Sequence, residues 1–455
     1  MREFDLFVIG GGSGGVRAAR IAAQYGARVA LAESYRIGGT CVVRGCVPKK
    51  LMVYASRFAQ EFDEARGFGW QAGKHRFDWR TLKANRDREV ARLEEIYTAN
   101  LTKAGVTLLR NHARFVDAHT LRLAGSSETV RAAHILIATG AIPAMGPRIH
   151  GAELAHNSND LFEWPGLPQR VVIQGGGYIA VEFACLLQGL GSQVSLVYRG
   201  EQVLRGFDDD LRARLQAQMQ TGGIEVITGQ TVQSIEAVGG ARLVTLADER
   251  TLGADQVLFA IGRMPNIVDL GLAEAGVRHN AHGAITVDEY SQTNVPHIHA
   301  VGDVTNRVNL TPAAIREGHA YAETVFGRRP TPVQHALVPS AVVSTPELGT
   351  VGLTEAQALA KHPHLDVYRT EFRPMKATLS GHGHKVFMKL LVDRDTDRVL
   401  GCHVLGPDAG EMAQLLGVAL QAGATKAQFD ATLPVHPTAG EEWVTMRAPA
   451  YRHNA

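Results

Sequence analysis

The stretch Gly38-Gly39-Thr40-Cys41-Val42-Val43-Arg44-Gly45-Cys46-Val47-Pro48-Lys49-Lys50 sets two cysteines, four residues between them, among glycines and just ahead of two cations. Thiols at this spacing can close a small disulfide ring. The thiolate is the reactive form, and electropositive surroundings favour it. Zinc sites usually combine two Cys/His pairs, and this pair stands alone. A structural bridge is uncommon in a chain with 4 cysteines and no secretory features. Spacing alone leaves redox chemistry and a blander role both open.

A second constellation closes the chain: Val435-His436-Pro437-Thr438-Ala439-Gly440-Glu441-Glu442. A histidine followed by acids can act as an oriented general base, or simply sit in a loop. Other candidates are weaker. Cys185 reads as a core thiol. Cys402 and His403 fall in a strand, where neighbouring side chains point to opposite faces. His382 and His384 flank a glycine without further ligands nearby.

Positioning these groups requires a large fold. At 455 residues the chain exceeds one ordinary core, so about two to four domains are expected. Its 47 basic and 45 acidic residues give a net charge of +2, scattered rather than gathered into a nucleic-acid patch or membrane anchor. The chain runs from Met1 straight into an apolar strand, which predicts no secretory signal. No apolar run approaches transmembrane length. A cytoplasmic location is expected.

Asp5–Ile9 reads as a buried parallel strand leading into Gly10-Gly11-Gly12-Ser13-Gly14-Gly15. A helix follows over Val16–Tyr25, then a strand over Ala27–Ala32 that ends at Glu33. Side-chain-free turns let amides and a helix N-terminus approach a pyrophosphate. An acid roughly 20 residues past the turn accepts ribose hydroxyls. The cysteines start just past this unit. Trp79–Ala104 carries Val90, Leu93, Tyr97 and Leu101 at helical spacing. His134–Ala138 reads as a further buried strand stopping at Thr139-Gly140.

A second βαβ unit begins at Val171–Gln174 and turns through Gly175-Gly176-Gly177-Tyr178-Ile179-Ala180. Its second strand, Gln193–Tyr198, ends not in an acid but in Arg199, with Arg205 six residues later. A carboxylate there would repel a 2′-phosphate, whereas guanidinium groups bind one through charge-assisted hydrogen bonds. This unit is expected to take NADPH rather than NADH. A strand over Asp255–Pro265 runs through Gly262-Arg263. Another, His297–Val301, ends in Gly302-Asp303, where open α/β sheets bind ligands; a helix over Pro312–Phe326 follows. Beyond Pro330, antiparallel strands are expected at Val342–Ser344, Val386–Val392 and Val399–Leu405, with an apolar helix over Ala409–Ala422.

In this order the pieces resemble the pyridine-nucleotide disulfide oxidoreductases over nearly the whole chain. The resemblance rests on Gly39-Thr40-Cys41 to Lys50, Gly177 to Glu182, Gly302-Asp303-Val304-Thr305, Leu310-Thr311-Pro312 and His436-Pro437-Thr438 to Glu442. Gly14 to Ala18, Leu51 to Ser56, Gly67 to Trp70 and Phe372 to Lys376 are similar to stretches of the glutathione-reducing branch of plants, cyanobacteria and proteobacteria.

The resemblance implies an α/β fold with two Rossmann-like dinucleotide-binding domains and a C-terminal α+β dimerisation domain. FAD would bind residues 1–150 and 265–335, NADPH residues 151–264, and residues 336–455 would form the interface. FAD contacts would come from Gly10, Gly12, Ser13, Gly14, Gly15, Glu33, Thr40, Lys49, Ala113, Thr139, Gly140, Asp303 and Thr311. NADPH contacts would come from Gly175, Gly177, Tyr178, Ile179, Ala180, Glu182, Arg199, Arg205, Gly262 and Arg263. Cys46 would face the flavin and Cys41 would attack the substrate disulfide. His436 of the other subunit of a homodimer would be the acid–base, with Glu441 holding its ring. Glutathione disulfide would meet Ser13, Arg20, Lys50 and Tyr97. Where animal and enteric enzymes carry a glutathione-binding Arg, this chain has His319. Lipoamide dehydrogenase typically has Pro-Ser-Lys after its second cysteine and an acid at the Arg199 position, unlike this chain. A reductase of another small disulfide, such as a glutathione conjugate, is the remaining alternative.

Overall fold

The computed structural model describes residues 2–454 apart from 72, 126, 145, 147 and 382. His382 therefore lies outside the described residues. The chain divides into two compact units: Met1–Leu51 with Thr81–Ala144 and Arg263–His335, and Met52–Arg80 with Met145–Gly262 and Ala336–Ala455.

The first unit is built on a seven-stranded sheet. Its strands β1 (Arg2–Ile9), β2 (Val29–Ala32), β3 (Thr107–Leu109), β4 (Ala113–Phe115), β5 (Thr120–Leu123) and β6 (Thr129–Ile137) run in the order β3-β2-β1-β6-β5-β4, and the strand Ile298–Ala300 pairs with β6. β1 pairs in parallel with β2 on one side and β6 on the other. The continuous apolar run of β1 follows from cover on both faces. Leu6 and Val8 pack with Val16, Ala19 and Tyr321; Phe7 and Ile9 pack with Phe115, Leu121 and Val130. Burying a side chain of this size contributes about 2 kcal/mol.

Because the chain crosses from β2 and β3 on one side of β1 to β6 on the other, a crevice opens at the strands' C-terminal ends. Gly10 follows β1, Glu33 follows β2, Thr139-Gly140 follows β6, and Gly302-Asp303 follows the strand Ile298–Ala300. Every one of these positions was singled out from sequence.

In the second unit, strands Glu225–Thr228, Gln193–Tyr198, Arg170–Gln174, Gln256–Phe259 and His156–Asn157 form a parallel sheet in that order. A three-stranded antiparallel sheet, Val232–Val238, Ala241–Leu246 and Thr251–Ala254, packs Ile235 and Val244 with Val172 and Val197. The C-terminal residues form a six-stranded antiparallel sheet. Its Met388, Leu390 and Val404 meet Leu416 and Leu420 of the helix Ala409–Gln421. The strand expected at Val342–Ser344 lies instead at Ser340–Val342. Pro346 has no N–H with which to continue a ladder, and the Ser344 hydroxyl turns to donate to the Pro346 carbonyl at 2.6 Å. Among the described residues no helix is long and apolar enough to cross a membrane, and no three His, Cys, Asp or Glu side chains gather as metal ligands.

Candidate active site

The helix α1 (Ser13–Gln24) starts at Gly12 with no side-chain cap and no acid in its first turn, so its first amides face an anion's position. Steric demands fix the glycines around it. A Cβ on Gly10, whose φ is +109°, would lie 2.3 Å from the Ala138 carbonyl oxygen, and one on Gly15 would lie 2.0 Å from that of Gly10. At Gly12 the nearest atom to such a Cβ is the Gly39 Cα at 3.9 Å. A Cβ on Gly39, by contrast, would lie 2.7 Å from the Gly12 Cα, so the two glycine segments approach each other backbone to backbone.

Glu33 is held by main chain: its carboxylate accepts the Gly11 N–H at 2.8 Å and the Tyr35 N–H at 2.7 Å. A carboxylate has about four acceptor positions, so ribose hydroxyls still find room. Across the crevice the Thr139 hydroxyl donates to the Asn266 carbonyl at 2.7 Å. Burial raises the Asp303 carboxyl, Glu317 adds to the rise and Arg263 opposes it. Arg263 also donates to the Thr40 hydroxyl and to the Ala141 carbonyl. It stands in the first unit, whereas Gly262 closes a segment of the second. Ala113 is buried in β4, paired with Leu123. Amide donors at one end and two carboxylates at the strand tips suit a dinucleotide.

The cysteines differ from a simple turn in how they are held. Cys41 lies in the short helix α2 (Gly39–Arg44), and Cys46 opens α3 (Cys46–Ala65). Cys46 hydrogen-bonds to Cys41, and that bond, followed by burial, pushes the Cys41 thiol well up; Thr311 and Lys49 pull the other way. The Cys46 Sγ lies 3.9 Å from the Thr311 hydroxyl. Thr311 begins the helix Thr311–Val325, entered through Pro312.

The Tyr97 phenol, on α4 (Trp79–Lys103), is raised by burial and by Cys41 and lowered by Arg17 and Arg20. Arg20, Tyr97 and Cys41 therefore share one neighbourhood, and the buried Arg20 Nε has no partner. Arg17 joins them. Sequence reading missed it, although it sits one helical turn before Arg20. Ser13 is the first residue of α1, and Lys50 follows Lys49 on α3. His319 lies 3.3 Å from Glu323.

In the second unit, helix Tyr178–Gly189 starts at Gly177, again uncapped. A Cβ on Gly175 would lie 2.2 Å from the Ala260 carbonyl oxygen, while nothing lies within 4 Å at Gly177. The Leu204 N–H donates to the Gly176 carbonyl at 2.6 Å. That bond folds the loop after Tyr198 back onto the glycine turn. Arg199 and Arg205 are exposed on this loop. Tyr178 is 39% exposed at the head of the helix, while Ala180 is buried. Glu182, fully buried on the same helix, accepts the Val343 N–H at 2.8 Å.

The His436 Nδ1 pairs with Glu441 Oε2 at 3.0 Å, leaving the imidazole exposed. Beside it Leu433 and Val435 are 90% and 74% exposed, and Leu415 on the helix Ala409–Gln421 is 72% exposed. So much bare apolar surface marks a face that another surface covers.

The chain as a whole is similar to known proteins. Residues 4–318 match the pyridine nucleotide-disulphide oxidoreductase family and residues 338–447 its dimerisation domain. The chain belongs to this family, with its α/β fold and its C-terminal dimerisation domain. It is 51% identical to a glutathione reductase of Burkholderia cepacia over 445 residues, 98% of each chain. It is 48% identical to the chloroplastic/mitochondrial glutathione reductase of Pisum sativum over 459 residues, 98% of this chain and 83% of that one. A glutathione reductase of a Nostoc species is 46% identical over 459 residues, covering 98% and 99%.

Proposed function

We propose that this protein reduces glutathione disulfide to two glutathione molecules, using NADPH, FAD and the Cys41–Cys46 pair. The observation that carries the reading is the interacting pair Cys41 and Cys46, with Cys41 held on the helix that Gly39 starts against the Gly12 turn, in a chain half identical to glutathione reductases. FAD belongs in the first unit, on Gly10 to Gly15, Glu33, Thr139-Gly140 and Asp303. NADPH belongs on Gly175 to Ala180, with Arg199 and Arg205 binding the 2′-phosphate. Bound FAD supplies the two-electron relay between NADPH and the disulfide.

The protein's own part is thiol exchange. A deprotonated Cys41 attacks one sulfur of the substrate, forming a mixed disulfide and releasing one glutathione, which takes a proton from His436. Cys46, on losing its proton, then attacks the Cys41 sulfur, closing the Cys41–Cys46 bond and releasing the second glutathione, whose thiolate takes up that proton. A thiol pushed up by its neighbour needs a base to start this sequence. His436 of the partner subunit fills that role in a homodimer, its ring oriented by Glu441. Arg20, Tyr97, Ser13 and Lys50 line the substrate side.

The three-domain division is part of this proposal: FAD on 1–150 and 265–335, NADPH on 151–264, and the interface on 336–455. So is a cytoplasmic location. The decisive experiment follows NADPH oxidation with oxidised glutathione, lipoamide, thioredoxin and glutathione conjugates in parallel. Preference for another disulfide would overturn the substrate assignment while leaving the reductase chemistry intact.

A further inference from the structure

Glu317 lies in the helix Thr311–Val325 and is 1% exposed. A carboxylate so deeply buried must be paired to remain charged. Its Oε2 accepts the Gly302 N–H at 2.6 Å. Its Oε1 takes the Arg307 guanidinium at 3.0 Å and His335 Nε2 at 2.8 Å. Arg307 is itself fixed, donating to Ser291 Oγ at 2.9 Å and to the Asp288 carbonyl at 3.2 Å.

Gly302 is the hinge between the strand Ile298–Ala300 and the turn that carries Asp303. Its φ of +74° favours a residue without Cβ, and a Cβ there would lie 3.2 Å from the Ala314 Cβ on the same helix as Glu317. The turn closes on itself, with the Thr305 hydroxyl donating to the Gly302 carbonyl at 2.8 Å and the Asn306 N–H to the Asp303 carbonyl at 3.0 Å. One buried side chain therefore ties this turn to the helix behind it, and Asp303 is the turn's second residue, at the strand end where the dinucleotide crevice opens.

We propose that Glu317 is the positioning residue for Asp303, setting through the Gly302 amide and the Arg307–His335 clamp where that carboxylate meets the sugar hydroxyls of the dinucleotide. This rests on the reading that places FAD in the first unit. The partners of Glu317 are the Gly302 amide, Arg307 and His335, so it acts through Asp303. The upward effect of Glu317 on the Asp303 carboxyl is consistent with that proximity.

The test is a double-mutant cycle on FAD affinity in the full-length protein, read by flavin fluorescence and the visible circular dichroism of bound flavin. Asp303→Ala and Glu317→Ala should each weaken FAD binding by on the order of tenfold or more, and the double variant should be no weaker than Asp303→Ala. Glu317→Gln keeps an acceptor for the Gly302 N–H but loses the charge, so it should fall between wild type and Glu317→Ala. If Glu317→Ala does not fold, Glu317→Gln and His335→Ala combined with Asp303→Ala run the same cycle. Additive losses, or wild-type affinity in both Glu317 variants, would overturn the proposal. Unchanged affinity in Asp303→Ala alone would remove the flavin reading of Asp303 and the role of Glu317 with it.

Discussion

The Nδ1 of His436 and the Oε2 of Glu441 lie 3.0 Å apart on an otherwise exposed ring. A carboxylate on Nδ1 fixes the tautomer and points Nε2 outward. Replacing Glu441 with Gln should lower turnover about tenfold to a hundredfold, with the KM for glutathione disulfide little changed. Steady-state NADPH oxidation measures both. An effect confined to KM would assign Glu441 to binding instead.

Sharing of the site between subunits is tested by complementation. Cys41→Ser and His436→Ala homodimers should each be nearly inactive. Co-expressed, they should recover about a quarter of wild-type activity, because random assortment makes half the dimers mixed and each mixed dimer holds one intact site. A site contained within one chain would give no recovery.

The hydrogen-bonding interaction with Cys46 pushes the Cys41 thiol up. Serine offers no thiolate to accept that hydrogen bond, so Cys46→Ser should move the Cys41 ionisation to lower pH. Alkylation rate tracks the thiolate fraction. Its pH profile for Cys41 should shift downward in the variant relative to the reduced parent; an unmoved midpoint would assign the elevation to burial alone.

Arg199 and Arg205 carry the coenzyme prediction. Changing both to Gln should narrow the preference for NADPH over NADH by about tenfold to a hundredfold, mainly through the KM for NADPH. An unchanged ratio means the 2′-phosphate is read elsewhere.

Stability has its own focus in the second unit. Lys389, 2% exposed, lies 2.8 Å from Asp208, 2.8 Å from Asp210 and 2.6 Å from Glu355. Lys389→Met leaves these acids without their cation and should cost about 3–5 kcal/mol, seen as a lowered Tm. Burial would raise Asp210 and Glu355, but hydrogen bonds to Lys389, helped by Arg369 and Arg214 at Asp210 and by His453 and Tyr451 at Glu355, hold both below their ordinary values. A carboxyl lowered by folding stabilises the fold above its unfolded pKa and loses that contribution as pH falls. The Tm gap between parent and variant should therefore shrink between about pH 5 and pH 3.

Much of this site was legible because steric demands write themselves into local sequence. Gly10 and Gly15 cannot be other residues where chain meets chain, and Arg199 stands at a strand end that the pattern announced. The helix Gly39–Arg44 was less visible, since its glycine, the glycines flanking it at 38 and 45, and its two valines are all weak helix formers. Glu317 was invisible for a different reason. Its partners Gly302, Arg307 and His335 stand 15, 10 and 18 residues away, beyond any periodic pattern, and only the fold assembles them. The three-stranded sheet beginning at Val232 was likewise unread, its short strands lacking a strict alternation.

The helix Thr311–Val325 bears Thr311, against the Cys46 sulfur, and Glu317, against the turn of Asp303. Six residues of helix separate the two by about 9 Å, and a helix does not stretch. It works as a ruler between sulfur and sugar. A change that slides it should disturb thiol exchange and cofactor retention together, whereas changes in either loop should disturb only one.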